Sequence, residues 1–313
     1  MGDLLLTLPA VSALRRAFPR ARISLMVKEA LPPLIDGYPD ADEVIPWPAG
    51  TGRGLGEAFR AARFLRKRRF DGIVLFNPTQ AFHLGAFLSG IPVRVGYRRK
   101  MGFLLTHSIP DTKAARGLHE SDYNLELVRR IGIDAAEVTL RLIVTDRAKE
   151  EARRLLESAG AGRGPFPLAV HPWTSNPDKG VGEPFFREVV RILSGEGTPL
   201  LIIGQPEESK RRFVPAGKPS PGHVIDLTGN LPLGLLPAVL SGCSLLLSND
   251  SGPAHVASAV GTPVLVAAPG SHRRQLTRWQ PMGTGGQLLF DPTPEEAAGA
   301  IRHLLRKPRA GPS

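Results

Sequence analysis

The segment Asn249-Asp250-Ser251-Gly252 follows the apolar run Leu245–Ser248 and opens a small-residue stretch that stops at Gly261-Thr262-Pro263. A strand, a polar turn and a helix start are written there in order. The turn sets a carboxylate, a hydroxyl and a glycine where the first helical N–H groups have no intrahelical partner. Such an N-terminus carries partial positive charge and binds phosphate readily. Gly252 lets a ligand come close to the backbone. The chemistry suggested is the holding of a phosphorylated ligand, and a nucleotide sugar in particular. Two other polar patterns carry less. Asp40-Ala-Asp42 spells a metal-type pair, but it follows Pro39 and reads as turn chemistry. The eight histidines are scattered, without the ligand spacing of a zinc site.

The elements that must position this turn alternate along the whole chain. Strands are expected near 23–27, 43–46, 72–76, 94–96, 168–171, 199–203, 223–226, 244–248 and 264–267. Helices are expected near 9–18, 55–67, 80–88, 121–131, 146–158, 184–193, 233–240, 253–260 and 295–305. This is the pattern of α/β parallel sheets covered by helices. A Gly/Pro-rich break over 159–167 reads as an interdomain linker. It divides the chain into Rossmann-like domains at 1–160 and 161–313 with a cleft between them, and helix 294–307 is expected to pack back toward the first domain. A doubly wound domain opens with a strand, yet Met1-Gly2-Asp3 already reads as the first turn. The first strand is therefore expected to be missing, and the natural start is expected about ten residues upstream.

Hydrophobic content of 42% with 22% charged residues describes a globular chain. No apolar run approaches the length of a membrane span, and Pro9 with Arg15-Arg16 interrupts any signal-peptide layout. The single cysteine, Cys243, excludes an internal disulfide and fits a reducing compartment, so a cytoplasmic location is expected. Net charge is +11 and uneven. Residues 1–165 hold 26 Lys/Arg against 18 Asp/Glu, and residues 166–313 hold 14 against 11. An anionic partner is implied for the first half. Few aromatics interleave these charges, which disfavours nucleic acid.

Several motifs occur together in order: Met1-Gly-Asp-Leu-Leu-Leu-Thr-Leu-Pro-Ala10, Phe70-Asp-Gly-Ile-Val-Leu-Phe-Asn-Pro78, Leu88-Ser-Gly-Ile-Pro-Val-Arg-Val-Gly-Tyr97, the block 171–179, Asp226-Leu-Thr-Gly229 and Ser248–Pro263. Together they resemble family 9 glycosyltransferases, the ADP-heptose:lipopolysaccharide heptosyltransferases, over nearly the whole chain. The resemblance implies a GT-B fold, an acceptor-binding first domain, a donor-binding second domain and metal-independent inverting transfer. It also implies work on the lipopolysaccharide inner core at the inner face of the inner membrane, with ADP-heptose as co-substrate and no cofactor. Two departures bear on the donor pocket. Lys179-Gly-Val-Gly182 lacks the family's Trp-Pro, and Trp173 stands where a small residue is usual.

Asp3 matches the family's catalytic aspartate, the base that takes the acceptor hydroxyl's proton; alone it reads equally as a helix cap. Lys179 matches the lysine that meets the donor diphosphate, where an ammonium suits growing charge; alone it is an exposed loop lysine. Thr174 and Ser175 match hydroxyls on the same phosphates and would otherwise be turn residues. Asp250, Ser251, Gly252 and His255 match the donor motif, with Asp250 on the sugar hydroxyls or as a cap. Glu208 resembles the carboxylate on the adenosine ribose and reads equally as a helix-start glutamate, and Thr228 with Gly229 is expected along the adenine. Arg63, Arg66, Arg98, Arg99 and Lys100 have a family counterpart in the surface that meets phosphorylated, Kdo-bearing lipid A and the anionic leaflet; the alternative is a solvated face. Rival functions are transfer from another nucleotide sugar to a surface polysaccharide, and a truncated, non-catalytic nucleotide-sugar-binding protein.

Overall fold

A computed structural model describes residues 1–48, 54–136, 139–160, 166–174, 176–211, 213, 224–282 and 286–306. The elements in chain order are α1 (Gly2–Leu5), α2 (Leu8–Ala17), β1 (Ser24–Lys28), β2 (Glu43–Trp47), α3 (Leu55–Arg68), β3 (Gly72–Leu75), α4 (Gln80–Leu88), β4 (Val93–Arg98), β5 (His107–Pro110), α5 (Lys113–Arg116), α6 (Glu120–Arg129), α7 (Asp146–Ser158), β6 (Phe166–His171), α8 (Glu183–Gly195), β7 (Leu200–Ile202), β8 (Val224–Asp226), α9 (Leu236–Ser241), β9 (Cys243–Ser248), α10 (Gly252–Ala259), β10 (Val264–Ala268), α11 (Arg273–Trp279), β11 (Gln287–Phe290) and α12 (Pro294–Arg306). Five of these were not expected from the sequence: α1, β5, α5, α11 and β11. The four-residue α1 and α5 are too short to show a helical period. His107-Ser-Ile-Pro110 holds a single large apolar side chain, β11 is short and only partly buried, and α11 buries Leu276 alone. None of the five carries a periodic apolar stripe to announce it.

The chain forms two compact units. Unit 1 comprises Met1–Leu5, Pro33–Tyr38 and Leu140–Ser313; unit 2 comprises Leu6–Pro32 and Pro39–Thr139. The expected linker falls largely on 161–165, outside the described residues.

Unit 1 is built on a six-stranded parallel sheet in the order β11-β10-β9-β6-β7-β8. Numbered within the unit, that is the doubly wound order 3-2-1-4-5-6 read from its far edge. The central strands are apolar throughout because helices cover both faces: Leu168, Ala169, Val170, Leu200, Leu201, Leu246 and Leu247 are all fully buried. On one face α8 and α12 pack together, closing a core of Phe186, Val189, Leu193 and Ile301 over the sheet. The amphipathic spacing of 185, 186, 189, 190 and 193 dictates which side of α8 is buried.

Unit 2 carries parallel strands in two pieces, β1 with β2 and β3-β4-β5. Met26 of β1 and Ile73 of β3 pack into one cluster with Leu65 of α3. No hydrogen-bonded pairing joins β1 to β3 among the described residues. Pro46 sits in β2, where an edge position tolerates its missing N–H. The Asp40-Ala-Asp42 turn is structural: Asp42 accepts from the Ile23 amide at 2.7 Å and from Arg15, and Asp40 accepts from Ser12.

Candidate active site

In a doubly wound sheet the ligand crevice lies at the carboxyl edge, where the strand order reverses. In unit 1 that reversal falls between β6 and β9. The loops leaving β6, β7, β8 and β9 hold Thr174, Glu208, Thr228 with Gly229, and Asp250 with Ser251. Parallel pairing therefore brings the described residues expected from the sequence to bind a donor to one edge. Ser175 lies outside the described residues.

Asn249 joins two of these loops. Its amide donates to the Pro172 carbonyl at 2.9 Å, and its Oδ1 accepts from the Val181 amide at 3.2 Å. Gly180 is needed beside it, because a Cβ there would stand 3.0 Å from Asn249 Oδ1 and from Thr174 Cγ2. This buried asparagine fixes the approach of Lys179, whose Nζ lies 3.5 Å from Asp250 Oδ2. Asp250 accordingly faces the lysine rather than capping α10. Thr174 makes the local turn that the sequence alternative allowed, with the Asn176 amide reaching its hydroxyl.

Ser251 is the N-cap of α10, yet its hydroxyl makes no cap hydrogen bond. It bonds instead to Ser248 Oγ at 2.7 Å and to His171 Nδ1 at 3.1 Å. His171 Nε2 stands 4.0 Å from Glu208 Oε2, beyond hydrogen-bond distance, and that oxygen accepts from the Gln205 amide. A hydrogen-bonded Ser248–Ser251–His171 chain thus runs along the sheet edge, with the Glu208 carboxylate 4.0 Å beyond it. Burial pushes the His171 imidazole down to about 4, so it is neutral at pH 7. The carboxylate on its Nε2 side favours a proton there, which leaves Nδ1 to accept from the serine. The sequence places His171 in a motif without giving it a task. The signal that it has one is a histidine ending a fully apolar strand, a position that faces the crevice edge by topology.

Trp173 is 3% exposed and packs edge-on against His171 and Phe213. Its ring also fills the space above Gly204, with Cε3 2.8 Å from where a Cβ would stand; Thr228 Cγ2 is 2.9 Å from the same point. The departure from the family's small residue is thus accommodated by glycine on β7's exit. Trp173 Nε1 and Thr228 Oγ1 are buried with no hydrogen-bond partner among the described residues. Buried polar atoms without a partner are rare in folded proteins, which singles these two out.

The N-terminal residues belong to this unit. The four-residue α1 packs on α10, and Gly2 is required there, since a Cβ would meet the His255 ring at 2.9 Å. At Gly252 the space a Cβ would take is filled by Met1. Asp3 is exposed in the first turn of α1, so it is not the cap of the helix that follows; Thr7 holds that position.

The basic residues expected to meet an acceptor fall into two groups within unit 2. Arg98 ends β4 and Arg99 and Lys100 follow it, at the carboxyl edge of β3-β4-β5. Arg99 donates to Asn77 Oδ1 at 2.9 Å and Lys100 to the Pro78 carbonyl at 2.7 Å. Burial and the neighbouring Arg99 lower the Lys100 pKa. Arg63 and Arg66 lie on the later turns of α3, and Arg66 donates to the Leu88 carbonyl at the end of α4.

The sequence profile of glycosyltransferase family 9 (heptosyltransferase) matches residues 58–287. Lipopolysaccharide heptosyltransferase 2 of Escherichia coli K12 is 23% identical, with 99% of this chain and 97% of that protein covered. The solved E. coli ADP-heptose heptosyltransferase II superposes with a TM-score of 0.81 at 20% identity, covering 97% of this chain and 95% of that one. The E. coli heptosyltransferase WaaC with ADP gives a TM-score of 0.71 at 17% identity, covering 97% of each. The fold is of GT-B type, two doubly wound α/β units, and with a profile match across most of its length the chain belongs to glycosyltransferase family 9.

Proposed function

We propose that this glycosyltransferase moves a heptose from ADP-heptose onto a phosphorylated lipopolysaccharide inner-core acceptor, with inversion and without a metal ion or cofactor. The supporting observation is the packing of α1 on α10, which holds Asp3 in the same unit as the diphosphate-type turn. In this reading Asp3 takes the proton of the acceptor hydroxyl as its oxygen bonds to the anomeric carbon. The bond from that carbon to the ADP oxygen breaks, and ADP departs with the electron pair. Lys179, Ser251, Gly252 and His255 offset the charge that grows on the diphosphate. Thr174 and Ser175 are assigned to the same phosphates and Asp250 to the sugar hydroxyls. Glu208 takes the ribose diol, and Thr228 with Gly229 borders the adenine. Arg98, Arg99 and Lys100 are assigned to the anionic acceptor. The acceptor is carried by a membrane, which makes the enzyme a peripheral protein at the cytoplasmic face; no helix among the described residues is long and apolar enough to cross one.

The test is transfer from ADP-heptose to a deacylated core acceptor. Asp3→Asn is expected to lower kcat by about 10²–10⁴-fold with ADP binding unchanged. Absence of both transfer and ADP-sugar binding in the unaltered chain would refute the proposal. A thermal-shift panel of ADP-, UDP- and GDP-sugars reads the donor directly, and a larger shift with UDP or GDP would overturn the ADP assignment.

A further inference from the structure

Helices α3 and α4 meet through small residues. A Cβ on Gly85 would stand 2.8 Å from Ala61 Cβ, and Ala58, Ala61 and Ala86 are fully buried. That close crossing leaves the large apolar side chains outside. Leu55 is 65% exposed, Phe59 61% and Phe87 46%. Leu55, Phe59, Arg63 and Arg66 recur at the spacing of one helix face. The solvent side of a sheet-covering helix is ordinarily polar, so this apolar start requires another explanation. Beside it lies a groove of about 710 Å³ lined by Phe59, Arg63, Arg66, Lys67, Arg69 and Leu88. Arg60 and Arg68 have carboxylate partners, Glu57 and Glu43. Arg63, Lys67 and Arg69 form no ion pair among the described residues.

The position within the unit separates this groove from the acceptor cations. In a parallel sheet the crossover helix runs back toward the amino edge of the strands. The end of α3 and the end of α4, joined by the Arg66–Leu88 hydrogen bond, therefore lie at the edge opposite Arg98, Arg99 and Lys100.

We propose that the α3–α4 face is a docking surface for an anionic bilayer leaflet. Phe59, Phe87 and Leu55 enter the interface, and the Arg63–Arg69 groove takes lipid phosphates. Phenyl groups beside cations on one helix pair match an amphiphilic boundary, with apolar depth and surface negative charge together. Two or three such anchors give reversible attachment, which suits an enzyme that must find successive membrane-borne acceptors. The proposal rests on the membrane-borne acceptor of the functional reading and deepens it, by moving Arg63 and Arg66 from acceptor recognition to attachment.

Cosedimentation of the full chain with vesicles tests it without any sugar nucleotide. Binding is expected to phosphatidylcholine vesicles containing about a third phosphatidylglycerol and to be far weaker with phosphatidylcholine alone. Arg63→Glu/Lys67→Glu is expected to weaken binding on the order of 30-fold. Phe59→Ser/Phe87→Ser is expected to weaken it roughly tenfold, with the phenyl effect persisting at roughly 1 M salt, where charge attraction is screened. Both phenyl positions are solvent-facing, so an unchanged thermal midpoint is the folding control. Transfer to a water-soluble deacylated acceptor is expected to keep its KM in the phenyl variant. Unchanged vesicle binding in both double variants overturns the proposal. So does a raised acceptor KM in Arg63→Glu/Lys67→Glu with vesicle binding intact, which would return these cations to the acceptor or to a free phosphorylated ligand. If transfer is absent but vesicle binding follows this pattern, the functional reading fails and the docking surface stands.

Discussion

Replacing His171 by asparagine is expected to flatten the acid side of the stability profile of unit 1. The imidazole titrates at about 4 in the fold and at 6.5 in the free side chain, with burial as the cause. Between these values the unfolded chain binds a proton that the folded chain does not, so stability falls as pH drops from about 6.5 and levels off below about 4. A gap of about 2.5 pH units corresponds to about 3 kcal/mol in full, of which about 2 kcal/mol is lost between pH 7 and pH 5. For a cooperative unit of this size that is a fall in Tm of roughly 4–8 °C. Asparagine does not titrate, and its Oδ1 can still accept from the Ser251 hydroxyl. Thermal unfolding followed by circular dichroism at pH 7 and pH 5 gives the comparison. His83, whose pKa burial also lowers, loses stability on acidification in both proteins, so the difference between them isolates His171. Equal losses on acidification in wild type and His171→Asn would refute the neutral, buried imidazole that accepts from Ser251.

Two further substitutions probe each unit's packing. Gly2→Ala puts a methyl group 2.9 Å from the His255 ring. It is expected to cost about 1–3 kcal/mol and to lower kcat by displacing α1, read by urea unfolding and by transfer rate; an active, equally stable protein would show that α1 does not set the position of Asp3. In unit 2, Lys113 and Glu120 form a buried pair at 2.5 Å, with the ammonium 4.6 Å from the Tyr97 ring centroid. Glu120→Gln is expected to cost about 3–5 kcal/mol in urea unfolding, and Lys113→Met/Glu120→Leu is expected to recover most of that.

The elements at the centre of each unit were legible in the sequence because burial on both faces forces apolar runs. Strands at 168–171, 244–248 and 264–267 are marked that way, and Thr79 and Thr145 open α4 and α7 with the side-chain caps their type favours. The strand–turn–helix at 245–260 was legible because an apolar run, a polar turn and a small-residue stretch follow one another there without interruption. What the sequence did not show are relations between segments far apart in the chain. Nothing local pairs Asn249 with Pro172, or His171 with Glu208, since topology alone brings four strand ends to one edge. Nor does local pattern assign Met1–Leu5 to the unit formed by residues 140 onward.

That assignment changes what glycine means at two positions. The sequence gives Gly252 the task of admitting a phosphate, and Gly2 no task beyond its turn. In the fold both are contact points of α1 on α10, one facing Met1 and the other the ring of His255. A larger side chain at either would push a carboxylate-bearing helix away from the turn expected to hold the leaving group. The close approach needs no ligand to explain it. The proposed base and the turn proposed to hold the diphosphate are joined by van der Waals packing of α1 on α10 inside unit 1. On this argument ADP affinity and the Gly2→Ala defect should move together, while substitutions in Arg98–Lys100 should change acceptor KM and leave ADP binding untouched; loss of ADP binding in those unit 2 variants would refute that division of labour.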